Sequence, residues 1–290
     1  MTWSGWRTVT AAAAAVPAEP VRPRSGGPAP VGAGWPGDAA SATTPIARDA
    51  AAVGRLAGSA PTMERLDGRV QVCRACPRLV AWREEVAEVR RASYADERYW
   101  GRPIAGYGAE RPEVVVVGLA PAAHGGNRTG RVFTGDRSGD FLFASLHRVG
   151  LASQPTSEHA GDGLQLPRAR VLAAVRCAPP ANKPTAEETA TCNPWMVAEL
   201  AFVRRDARAY VALGGFAWKA LFPALQAAGV PGVPERPPAF QHGAEVLLGD
   251  GTHPDAPVIM GCYHPSQQNT FTGRLTEAML DDVLGRAAAR

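Results

Sequence analysis

The 290-residue chain carries 31 basic and 27 acidic side chains, a net charge of +4, and 46% apolar residues, the balance of a folded chain of one or two domains. No apolar run approaches the roughly 18 residues needed to cross a bilayer, which excludes a helical membrane protein, and five cysteines are too few for a disulfide scaffold. All the basic residues except Lys183 and Lys219 are arginines, which suit bidentate phosphate contacts; the charge permits an acidic partner without requiring one.

Residues 1–60 read as a disordered tail. Thirty-two of them are Ala, Gly or Pro, and large apolar residues do not recur with any period, so little burial offsets the ordering entropy. Arg7 precedes the stretch Ala11–Ala15, but alanine is too weakly apolar for a secretory core. Met63 is a second candidate start. Patterning begins there, with a helix expected from Thr62 toward Val72. The run Glu113–Gly118, continuous in valine, reads as a strand buried on both faces of a parallel sheet. Similar runs occupy Arg170–Arg176, Arg208–Gly214 and Val258–Tyr263. Helices are expected over Ser138–Val149, Ala186–Val203 (opened by a Thr185/Glu188 capping box), Phe216–Ala227 and Leu275–Ala289. Strands alternating with helices over residues 61–290 imply a single α/β domain with a central parallel sheet. Ligands bind such sheets at the carboxyl ends of the strands.

Three segments follow strands there. Residues 118–140 form a glycine-rich loop that is neither a Walker loop nor a dinucleotide fingerprint. It carries Phe133, able to stack on a flat ring, and Asn127 and Asp136, able to hydrogen-bond one. After the second strand, Asn182 lies in the proline-rich segment Cys177–Thr185, where a rigidly held amide can read a carbonyl or a base edge. After the last strand, His264 opens a polar segment that runs to Arg274.

Cys73 and Cys76 form a C-x2-C pair, and Cys177 and Cys192 follow about a hundred residues later. Four thiols in two clusters read as a metal site for zinc or an iron–sulfur cluster, between which spacing does not choose. Cys262, inside the last strand, reads as a buried small apolar residue. A thiolate site fits a reducing cytoplasm.

Gly-Leu-Ala-Pro-Ala at 118–122, Asn-Arg-Thr-Gly-Arg at 127–131, Phe-Thr-Gly-Asp at 133–136, the four cysteines and His-Pro-Ser-Gln-Gln-Asn-Thr-Phe-Thr-Gly-Arg at 264–274 together resemble the family 5 uracil-DNA glycosylases. The resemblance covers roughly residues 62–290 and finds no counterpart for the tail. It implies a three-layer α/β/α fold on a four-stranded parallel sheet, and a structural [4Fe–4S] cluster on Cys73, Cys76, Cys177 and Cys192. It further implies monofunctional excision of uracil, and of hypoxanthine and xanthine, from double- and single-stranded DNA by a monomeric enzyme of the cytoplasm and nucleoid.

Such an enzyme flips its target nucleotide out of the duplex. On that reading Phe133 stacks on the base in a pocket with Gly118 and Ala120, Asn182 reads its edge, and His264 stabilises the departing anionic base. Gln267, Gln268 or Asn269 fills the gap in the duplex, and Arg128, Arg131 and Arg274 meet phosphates. Where better-known uracil glycosylases carry a water-activating acid after the first strand, this chain has Leu119 and Ala120. Asn127 and Asp136 are the remaining candidates for a general base. Two rivals stand: an iron–sulfur electron carrier or sensor, which leaves the His264 segment unexplained, and a zinc-stabilised DNA-binding module, which leaves Phe133 and Asn182 unexplained.

Overall fold

Valine-rich runs bury both faces only inside a sheet that is covered on both sides, and the computed structural model, which describes residues 26–249 and 256–290, has that arrangement. Strands β2 (Val114–Gly118), β3 (Ala169–Ala173), β4 (Ala209–Leu213) and β6 (Val258–Cys262) pair in parallel, and every residue in them is buried. The sheet has six strands rather than the expected four. Short antiparallel edge strands β1 (Tyr107–Gly108) and β5 (Glu245–Leu247) complete the order β1-β3-β2-β4-β6-β5. They carry two and three residues, too few to show a period.

Alternate strand residues face two cores. Val115, Val117, Leu172, Tyr210 and Ile259 pack on one side, where α1 (Ala50–Gly58), α2 (Met63–Gln71), α6 (Ala186–Val203) and α7 (Gly215–Ala227) lie. Val114, Val116, Val171, Val211 and Met260 pack on the other, covered by α5 (Arg137–Arg148) and α9 (Glu277–Ala288). The result is the expected three-layer α/β/α architecture. Thr185 and Glu188 form the expected capping box. The remaining helices are α3 (Pro77–Val89), α4 (Gly126–Thr129) and α8 (Gln267–Phe271).

The expected 60-residue disordered tail differs from the structure. Residues 1–25 lie outside the described residues, but residues 26–60 form a strap across the domain. Asp49 caps α1, accepting from Ala52 N at 2.7 Å, and α1 packs on α6 with Val53 fully buried. Gln71 pins the strap by donating to the Gly37 carbonyl and accepting from Ala39 N, both at 2.8 Å. Arg102 pairs with Asp38 at 2.5 Å, and Trp35 donates to the Thr129 carbonyl at 3.1 Å. Among the described residues no helix is long and apolar enough to cross a membrane.

Candidate active site and cysteine cavity

The carboxyl ends of β2, β3, β4 and β6 form one rim, stitched by backbone hydrogen bonds. Ala174 N donates to the Gly118 carbonyl, Val175 N to the Leu119 carbonyl, and Gly214 N to the Cys262 carbonyl. These bonds bring the three segments singled out in the sequence to one edge. Phe133, held at a φ of 51°, lays its ring over Gly118. A Cβ at Gly118 would meet that ring at 2.6 Å, so only glycine leaves it room. The ring centroid lies 5.8 Å from that of His264, tilted by 35°. Ala120 sits half-buried beyond Gly118. His264 is wedged close to Gly214, where a Cβ would come within 3.2 Å of its own. Loss of hydration holds the imidazole down to about 4, so it is neutral at physiological pH and offers one N–H donor.

Asp136 caps α5 and accepts from Gly139 N at 3.0 Å, with its carboxylate over Gly125. Burial pushes its pKa above the ordinary carboxylate value, against the pull of the Gly139 and Ser138 amides. Asn182 lies exposed in the segment that follows β3, in a tight turn with Ala181 and Asn182 both left-handed (φ 51° and 56°). Asparagine tolerates that region better than most residues.

Several expected roles change. Asn127 is buried behind the loop and donates to the Arg83 carbonyl at 3.1 Å; its amide ties α4 to α3 and has no basic lone pair to activate water. Arg128 and Arg131 are buried rather than turned toward a phosphate backbone. Arg128 pairs with Glu97 and donates to the His124 and Gly135 carbonyls, and Arg131 pairs with Asp162 at 2.6 Å. Both charges are already neutralised inside the fold. Asn269 donates to the His264 carbonyl at 2.8 Å, which makes it a brace for the histidine. Gln267, Gln268 and Arg274 are exposed, and the Arg274 guanidinium lies 4.6 Å above the Tyr263 ring. No periodicity singles out Phe271, a 67% exposed aromatic on α8, or Arg137, whose guanidinium sits 5.2 Å over its ring.

Across 105–287 the chain matches the model of the uracil DNA glycosylase superfamily. It is 54% identical over 260 residues to the type-5 uracil-DNA glycosylase of Mycobacterium bovis, covering 90% of this chain and 93% of that one. The chain belongs to the uracil-DNA glycosylase superfamily. It is also 48% identical to the type-5 enzyme of Thermus thermophilus over 215 residues, covering 74% of this chain and 92% of that one. The type-5 enzyme of Pyrobaculum aerophilum is 46% identical over 221 residues, 76% of this chain and 90% of its own. A match covering 90% of the chain reaches well into residues 1–60, so the strap, contrary to expectation, has a counterpart among these glycosylases.

In the core under α1, α2 and α6, Cys73, Cys76, Cys177 and Cys192 line one small cavity. They come from the turn between α2 and α3, the segment after β3, and α6. All four are free thiols. Among the described residues no three His, Cys, Asp or Glu side chains close around a single metal ion. Two sulfurs already accept hydrogen bonds: Cys177 Sγ from Arg83 Nη1 at 2.9 Å and Cys192 Sγ from Arg176 N at 3.3 Å. Burial pushes the Cys76 thiol up to about 12 and raises Cys73 and Cys192 as well. A thiolate set in such a place needs positive charge beside it. Soft sulfur ligands flanked by N–H donors suit a polynuclear iron–sulfur group. Cys262 is buried within β6, as expected.

Proposed function

We propose that the chain is a monofunctional DNA glycosylase. It hydrolyses the N-glycosidic bond of uracil in DNA and leaves an abasic site, acting as a monomer in the cytoplasm and nucleoid on double- and single-stranded substrates. The observation that carries this reading is the Phe133 ring 5.8 Å from His264 at the strand ends, in a chain of this superfamily. A flipped base stacks on Phe133, Asn182 hydrogen-bonds its edge, and the neutral His264 donates to the base oxygen on which charge grows as the bond breaks. Water adds to the anomeric carbon, its oxygen forming the new bond while the electron pair of the old bond leaves with the base. The released base takes up a proton.

Of the two candidate bases, Asp136 fits: a carboxylate whose pKa is raised by burial accepts a proton better than an ordinary one. Gly118 and Ala120 bring no bulky acid into the pocket, which supports acceptance of hypoxanthine and xanthine too. Cys73, Cys76, Cys177 and Cys192 would hold a [4Fe–4S] cluster. It would supply no redox step, only a tie between α3, the β3 segment and α6.

The test is base release from a labelled duplex with uracil opposite guanine, followed by alkali. Strand scission only after alkali, abolished in His264→Ala, is expected; scission absent with uracil, hypoxanthine and xanthine alike overturns the reading and returns the chain to a redox role. Asp136→Ala is expected to slow single-turnover release at least tenfold. A full rate in that variant removes Asp136 as the base.

A further inference from the structure

The cysteine cavity is ringed by unused donors. Among the described residues, Arg83 Nε, Arg176 Nε and Nη1, and Trp195 Nε1 are buried without an acceptor, and these three residues line the same cavity as the four cysteines. A buried donor left unpaired costs about 1–3 kcal/mol, more for a charged one. Four on one cavity wall mark an acceptor that belongs there. The other atoms of these groups set their aim. Arg83 gives Nη1 to Cys177 Sγ at 2.9 Å and Nη2 to the Cys73 carbonyl at 3.1 Å. Its nearest carboxylate, on the partly exposed Glu84, stands 3.6 Å away. Arg176 is anchored from behind by Glu199, to which Nη2 donates at 2.6 Å. Glu199 is also held by Arg170 at 2.5 Å, and Arg170 by Asp67 at 3.2 Å, so the chain of pairs fixes Arg176 rigidly.

We propose that Arg83, Arg176 and Trp195 form a ring of N–H donors to the sulfur atoms of a cluster held by Cys73, Cys76, Cys177 and Cys192. The proposal rests on the reading of those cysteines as cluster ligands. The charge balance supports it. Four thiolates around an oxidised [4Fe–4S] core leave a net charge of about −2, which the Arg83 guanidinium and the part of the Arg176 charge not taken up by Glu199 offset in part where water does not. Hydrogen bonds to the sulfurs and nearby charge are among the factors that set the stability and potential of such a centre. Reduction adds a negative charge, so losing either guanidinium makes reduction harder.

The experiment uses the full chain, purified anaerobically. Iron and acid-labile sulfide are counted per chain, loss of the visible absorbance to an iron chelator is timed, and the reduction potential is measured. Arg83→Gln, Arg176→Gln and Trp195→Phe are compared with Arg83→Lys and Arg176→Lys. Each glutamine variant is expected to surrender iron at least about tenfold faster and to shift the potential to more negative values. The lysine variants are expected to recover the potential but not the full retention, because the charge returns without the planar fork. Should Arg176→Gln fail to fold, through the loss of its Glu199 partner, Arg83→Gln and Trp195→Phe carry the test. About four irons in the parent chain, with glutamine variants that match its release rate and potential, overturns the donor ring and leaves the cluster reading standing. A parent chain with zinc or no iron overturns both.

Discussion

At the residue scale the site depends on two contacts that leave no slack. Phe133 holds its place because Gly118 has no side chain, so Gly118→Ala should push the ring off His264. A Cβ 2.6 Å from the ring is too close to be absorbed. The expected outcome is a folded protein with uracil release at least tenfold slower, read by single-turnover kinetics beside a melting curve. Phe133→Ala should cost base–aromatic stacking, about 1–3 kcal/mol per base, seen as weaker binding of uracil-containing DNA. His264 makes a sharper prediction. Its folded pKa of about 4 lies below the ordinary value of about 6.5, so protonation favours the unfolded chain between those limits. Stability from this group is therefore complete above about pH 6.5 and is lost as the pH falls toward 4. Unfolding titrations of the parent and His264→Ala should show a stability difference that grows by up to about 3 kcal/mol from pH 4 to pH 6.5. A difference flat with pH would mean that the imidazole is not desolvated. On the proposed role of Asp136, whose pKa burial raises, uracil release should also fall as the pH is lowered, because a protonated carboxyl no longer accepts from water.

At the element scale, the four parallel strands were legible because short, mostly apolar runs, led by the valine run of β2, alternate with helical stretches and fit a sheet covered on both faces. The rim was legible because three polar or glycine-rich segments each follow such a run. β1 and β5 were not, being too short to carry a pattern. The strap is hard to read for a physical reason: apart from Trp35, Asp38 and Val53, it docks through backbone and small side chains. Gly68 leaves room for the Ala39 carbonyl at 2.7 Å from where a Cβ would be, and Gly101 for Pro28 at 2.9 Å. Small residues meeting glycines bury well yet leave a composition indistinguishable from disorder. The arginines were misread similarly, since a sequence shows their charge but not the Glu97 and Asp162 that neutralise it. The strap has a consequence for the cysteines. Val53 of α1 lines their cavity, so a chain begun at Met63 would lose one wall of it. That truncation should melt at lower temperature than the full chain and release any bound metal to a chelator faster, with equal release rates showing that α1 plays no part in sealing the cavity.

For the whole molecule, the question is which of its many arginines a nucleic acid can reach. Net charge of +4 is modest, and much of the positive charge is spent internally on pairs such as Arg131–Asp162 and Arg176–Glu199. DNA affinity falls with salt in proportion to the phosphates neutralised, so the salt slope counts the arginines that truly face DNA. Arg274, exposed beside the His264 segment, should lower that slope by about 1 when replaced by alanine, with little effect on melting. Arg131 should behave in the opposite way. Its guanidinium is buried against Asp162, whose carboxyl it holds down to about 2 with help from the Leu164 and Glu158 amides. Arg131→Ala strands that carboxylate, and removing one partner of a buried pair costs about 3–5 kcal/mol, while the salt slope of the folded fraction should not move. Binding isotherms at several salt concentrations, run beside denaturant titrations, separate the two. A slope lowered by Arg131→Ala would mean that the loop opens on DNA and exchanges Asp162 for a phosphate.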